Sequence, residues 1–87
     1  MTISSGQTSV GTSPTLIDGL DVNPFRLHLH NNDNTTDVFL GTSDVSITTG
    51  LRLLKEDSTE LIINPLEALY AVSTKTGHIV SWLKQTE

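Results

Sequence analysis

Three histidines are the side chains best suited to chemistry in this 87-residue sequence. His28 and His30 stand two apart, Asp33 lies just beyond them, and His78 falls far along the chain. Residues at i and i+2 of a strand share a face, and two imidazoles plus a carboxylate and a distant third imidazole form a set that can hold Fe, Mn or Zn inside a small barrel. The surrounding pattern argues against that use. Phe25-Arg26-Leu27-His28-Leu29-His30 alternates, so Phe25, Leu27 and Leu29 turn to a core and Arg26, His28 and His30 to solvent or a neighbouring molecule. His28, His30 and His78 are therefore metal candidates only with the register reversed, and no cofactor is expected.

The other reactive residue types have structural readings. Asp18, Asp21, Asp33, Asp37 and Asp44 lack the D-x-D-x-D-G spacing of a calcium loop and read as turn caps. Serine, histidine and aspartate are all present, but no G-x-S-x-G elbow accompanies them, so no nucleophilic triad is inferred and no enzymatic activity is expected. Trp82 and Tyr70 could stack on a sugar, yet both fall inside apolar strands and read as core packing.

The elements that must position these residues are strands. From residue 16 onward, short apolar runs are separated by turn residues at the spacing of an all-β sandwich or barrel. Phe25 to His30 is a half-buried strand, Asn31 to Asn34 a loop, and Asp37 to Leu40, Val45 to Ile47 and Leu51 to Leu54 are further strands. Glu60 to Ile63 is stopped by Asn64-Pro65, since proline cannot donate to a ladder. Ala68 to Val72 and His78 to Leu83 complete about seven strands with no helix. Residues 1 to 22 read as an extended Ser/Thr-rich arm and residues 23 to 87 as one sandwich, jelly-roll-like or immunoglobulin-like. Ile3, Val10, Leu16 and Ile17 are the arm's expected interface residues.

Composition bounds the partners. Ten Asp and Glu against five Lys and Arg give a net charge of −5, which repels nucleic-acid phosphates and anionic lipid. No apolar run reaches 18 residues and the N-terminus lacks a basic region followed by an apolar one, so neither a membrane role nor a secretory leader is expected. There is no cysteine, hence no disulfide reinforcement. At 9.4 kDa, burial is worth about 125 kcal/mol and ordering the chain costs about 130 kcal/mol, so a lone monomer is marginal and association is expected to complete it. Nine serines and thirteen threonines build a surface of hydroxyls rather than charges.

The stretch from Asp37-Val38-Phe39-Leu40-Gly41 through Thr42-Ser43-Asp44-Val45, followed by Thr48-Thr49-Gly50-Leu51, Leu61-Ile62-Ile63 and Leu69-Tyr70-Ala71-Val72-Ser73, resembles a family of small β-sandwich virion structural proteins of tailed bacteriophages. The likeness covers residues 36 to 84. It implies a non-enzymatic capsid decoration (cement) subunit on the virion surface, with the major capsid protein as partner and a homotrimer as oligomer. A head-fibre or tail accessory protein that binds host-surface carbohydrate is the alternative it leaves, and the histidine set leaves a cupin-like metalloprotein as another. No catalytic residue comes with the likeness.

Overall fold

A computed structural model describes residues 2–19, 22–32 and 35–86. Eight strands form and, among the described residues, no helix: β1 (Thr2–Val10), β2 (Thr15–Gly19), β3 (Phe25–Asn31), β4 (Val38–Gly41), β5 (Leu51–Leu53), β6 (Ser58–Ile63), β7 (Ala68–Ser73) and β8 (His78–Thr86). They make two four-stranded antiparallel sheets, in the orders β1-β8-β3-β6 and β2-β7-β4-β5. The fold is the all-β sandwich expected from the alternation. Its pairings are nested: β1 with β8, β2 with β7, β3 with β6 and β4 with β5. That is one long hairpin rolled into two layers, the order of a jelly roll rather than of an immunoglobulin domain.

Strand β3 shows why the layers stick. Its residues alternate buried and exposed without a break from Phe25 to Asn31, and Phe25, Leu27 and Leu29 meet Val10, Ile17, Val38, Leu40, Leu53, Ile63, Leu69, Ala71 and Val80 in one core. The folded chain keeps 5035 Å² of accessible surface.

Two expectations change. The arm expected over residues 1 to 22 is not separate over its described residues, because β1 pairs with β8 at nine consecutive positions and β2 pairs with β7. An edge strand needs little apolar content, since its ladder comes from the backbone and one or two inward side chains suffice; Val10 and Ile17 supply them here. Gly6 helps, for a Cβ there would lie 2.7 Å from the Trp82 ring. Trp82 thus lies against β1, packs on the core and donates to the Thr8 hydroxyl at 3.1 Å.

Residues 45 to 47 form a turn, not a strand. The segment folds over the outer face of the second sheet, held by Val45 N–H donating to Thr42 O at 3.0 Å and Gly50 N–H to Ser46 O at 2.9 Å. Val45 occupies the space left by two glycines: a Cβ on Gly41 or Gly50 would come within 2.8 Å of its Cγ2. Tight local bonding and this close approach outweigh the strand-like alternation of Val45-Ser46-Ile47. Gly41, Val45 and Gly50 therefore meet in one contact.

Candidate functional site: surface clusters, a buried histidine and the flanks

The three histidines go to different places. His28 and His30 lie on the outer face of β3 and are exposed, whereas His78 at the start of β8 is fully buried. They do not converge, so the proposed set is corrected. The reason is parity: His78 shares a face with Val80, which is in the core, while His28 and His30 occupy the outward positions that alternate with buried Phe25, Leu27, Leu29 and Asn31. Among the described residues no group of three or more His, Asp or Glu is placed to hold a metal ion; Asp33 lies outside them.

On the outer face of β3, Glu60 of β6 bridges Arg26 and His28. Its carboxylate lies 2.9 Å from Arg26 Nε and 2.9 Å from His28 Nε2, because β3 and β6 pair His28 with Glu60 and Arg26 with Ile62. Such exposed pairs are worth little in stability. At the end of the same sheet an open groove of about 540 Å³ is lined by Asn23, Pro24, Phe25, Arg26, Ile62, Gln85 and Thr86.

His78 is a structural hub. Asn31, also fully buried, donates through Nδ2 to the carbonyls of Thr36, Leu53 and Leu54, each at 3.2 Å. Its Oδ1 therefore faces His78 Nε2, 2.6 Å away, so Nε2 carries the proton. Nδ1 lies within hydrogen-bond distance of the hydroxyls of Ser73, at 2.9 Å, and Thr36, at 3.0 Å. One imidazole and one amide thus join β3 and β8 of the first sheet to β7 and the end of β5 in the second. With these bonds made, no buried side-chain polar atom among the described residues lacks a partner. An imidazole engaged at both nitrogens has no lone pair left for a metal.

The aspartates serve as local anchors. Asp18 Oδ1 accepts from Gly19 N–H at 2.7 Å and lies 3.4 Å from Lys84 Nζ, whose ammonium sits 4.2 Å from the Phe25 ring centroid. Asp37 accepts from Arg52 at 2.6 Å and from Lys55 N–H at 2.9 Å. The Arg52 side-chain bond is the main reason its carboxyl is held below the usual carboxylate range. Asp44 accepts from the Thr42 hydroxyl; Asp21 and Asp33 lie outside the described residues.

Of the four expected interface residues, Val10 and Ile17 belong to the core, which corrects that part of the expectation, and Ile3 and Leu16 are 60% and 43% exposed. Sequence reasoning missed the surface on the opposite flank. There Leu51, Leu54, Ile62 and Leu66 are 61%, 48%, 64% and 67% exposed, along the edge strands β5 and β6 and the turns beside them. Trp82 lies against β1 in the first sheet, and Tyr70 stands half-buried on β7 of the second, opposite Leu16. They form no joint stacking platform, and Tyr70 is not the core residue expected.

No protein-family model and no curated protein matches the sequence. In fold the chain is similar to a solved chain from Bacillus endospore appendages, which form a family of disulfide-linked pili; the TM-score is 0.65 at 8% identity, over 98% of this chain and 85% of that one. At that identity the likeness establishes a shared β-sandwich architecture.

Proposed function

We propose that the chain is a non-enzymatic structural subunit that works by being packed against neighbours, and specifically a capsid decoration subunit on the surface of a tailed-bacteriophage virion. The observation that carries this reading is the exposed aliphatic surface: among the described residues nine large aliphatic side chains stay exposed, against fourteen hydrophobic side chains buried. Leu51, Leu54, Ile62 and Leu66 lie on or beside the edge strands β5 and β6, and exposed aliphatic side chains there suit an apolar contact with the major capsid protein. The histidines support the same reading, since His28 pairs with Glu60 and His78 braces the two sheets. Motifs shared with phage virion proteins gather in β4, the 42–50 turn and β7 and give the reading its specific form.

The test is mass spectrometry of purified particles together with rebinding of the pure chain to particles stripped of it. Peptides in amounts comparable to capsid subunits, and rebinding lost in Ile62→Glu and Leu51→Glu, are the expected results. Absence from particles, or full rebinding by both variants, overturns the reading. The fold shared with an endospore pilus protein favours a second one, a filament subunit. With no cysteine in these 87 residues, filaments of this sequence would be held without disulfides, and electron microscopy of the concentrated chain separates the two readings.

A further inference from the structure

We infer that β1 is an open pairing edge whose occupant is β1 of a second copy, the two strands running antiparallel about a two-fold axis. Four strands lie at sheet edges, and three carry features that discourage pairing. Strand β6 bears Glu60 and runs into Asn64-Pro65, β2 is broken by a bulge between Leu16 and Asp18, and β5 is three residues long and carries Arg52. Charges, proline, bulges and brevity are the devices that blunt exposed edges.

Strand β1 has none of them. Its nine residues, TISSGQTSV, hold no charge and no proline, and their register with β8 is unbroken. At about 3.3 Å per residue it offers an edge about 30 Å long.

Charge selects the occupant. Two copies each carrying −5 repel one another, so they meet most readily where neither presents charge. On the outer face, Ile3, Ser5 and Gln7 of β1 lie opposite Gln85, Leu83 and Ser81 of β8, and this half of the sheet is neutral. The charged groups of that face, Arg26, His28, His30 and Glu60, belong to β3 and β6, on the far side of β8. Each copy supplies the same edge of the same length, so a two-fold axis satisfies both at once. The first sheets of two molecules then form one continuous eight-stranded sheet. The contact leaves the β5 and β6 flank free, and it stands whether or not the chain binds a virion.

The absence of cysteine makes the test clean, because a single introduced thiol reports only contact between copies. Ser5→Cys, Gln7→Cys and Ser9→Cys place thiols on the exposed outer face of β1, and Ser58→Cys places one at the opposite edge. Under mild oxidation at least one β1 variant should form disulfide-linked dimer at least tenfold faster than Ser58→Cys. The wild-type chain should associate with rising concentration in sedimentation velocity, and the Ser5→Lys/Gln7→Lys variant should not, while keeping native Trp82 fluorescence. Cross-linking no faster at β1 than at Ser58, or a wild type that stays monomeric to about 1 mM, overturns the proposal. Protection of β1 amides from hydrogen exchange only on addition of another particle protein makes that protein the occupant and refutes self-pairing.

Discussion

Replacing Asn31 with alanine is the most informative perturbation of this fold, because one buried amide bonds both layers of the sandwich. The substitution removes the Nδ2 bonds to the carbonyls of Thr36, Leu53 and Leu54 and takes the acceptor from His78 Nε2. Two to three hydrogen bonds at about 1 kcal/mol each, plus a share for a ring N–H left facing the interior, give a loss of about 3 to 4 kcal/mol. A domain of this length has a total stability of about 4 to 13 kcal/mol, so the variant loses a large fraction of it. Urea unfolding followed by the fluorescence of Trp82, the single tryptophan, should show a midpoint lowered by about 2 M at a slope of about 1.5 kcal/mol per molar. Asn32→Ala, which removes an exposed bond to the Ser81 hydroxyl, should move stability by less than about 0.5 kcal/mol. A double-mutant cycle of Asn31→Ala with His78→Ala should give a coupling of at least about 1 kcal/mol. A loss below about 1 kcal/mol for Asn31→Ala, or additive effects in the cycle, would refute the assignment of this pair as the brace between sheets.

Three further outcomes follow from the packing and the charges. Gly6→Val drives a branched side chain into the Trp82 ring, so it should destabilise by about 1 to 3 kcal/mol and alter the native Trp82 emission; an unchanged spectrum and midpoint would contradict the contact. Val80→Ala, at a fully buried core position, should cost about 2 to 3 kcal/mol in chemical denaturation, and a loss under about 0.5 kcal/mol would show the core to be looser than described. Asp37 has its carboxyl held below the usual range, chiefly by Arg52. Its stabilising effect is therefore present above the ordinary aspartate value near pH 4 and is lost as pH falls through the lower folded value. Melting temperatures of wild type and Asp37→Asn should differ at pH 7 and converge near pH 2; a gap that persists at pH 2 would rule out the charge as its cause.

How much of this was legible depended on whether a local pattern or a distant partner decided each element. The alternation of β3 was readable because one face is core and the other is not, and it placed His28 and His30 correctly on the outside. Carrying the same alternation one residue further puts Asn31 inside, and the parity of His78 with Val80 puts that ring inside as well. Those two signals were present, but a polar residue next to an Asn-rich turn reads locally as loop. Strand β1 could not be read from its own residues. Its order comes from a ladder with β8, whose residues lie 68 or more positions away, and its composition resembles that of a mobile segment. Val45 to Ile47 failed in the opposite direction: a strand-like local pattern was overridden by Gly41 and Gly50, which let Val45 settle between them. The exposed rim on β5 and β6 was hidden because each of its leucines and isoleucines looked like core until the strand order put it at an edge.

The nested pairing sets a sequence of events for the newborn chain. The β4 and β5 ribbon is enclosed within some sixteen residues and can close while the rest is still being synthesised, and each wider ring must span a longer stretch before it shuts. Strand β1 is thus the last to find its place, since it has nothing to zip onto until β8 has left the ribosome. A translational pause before that point would hold back the outermost ring alone, leaving the leading segment open to proteases and the tryptophan side without its cover.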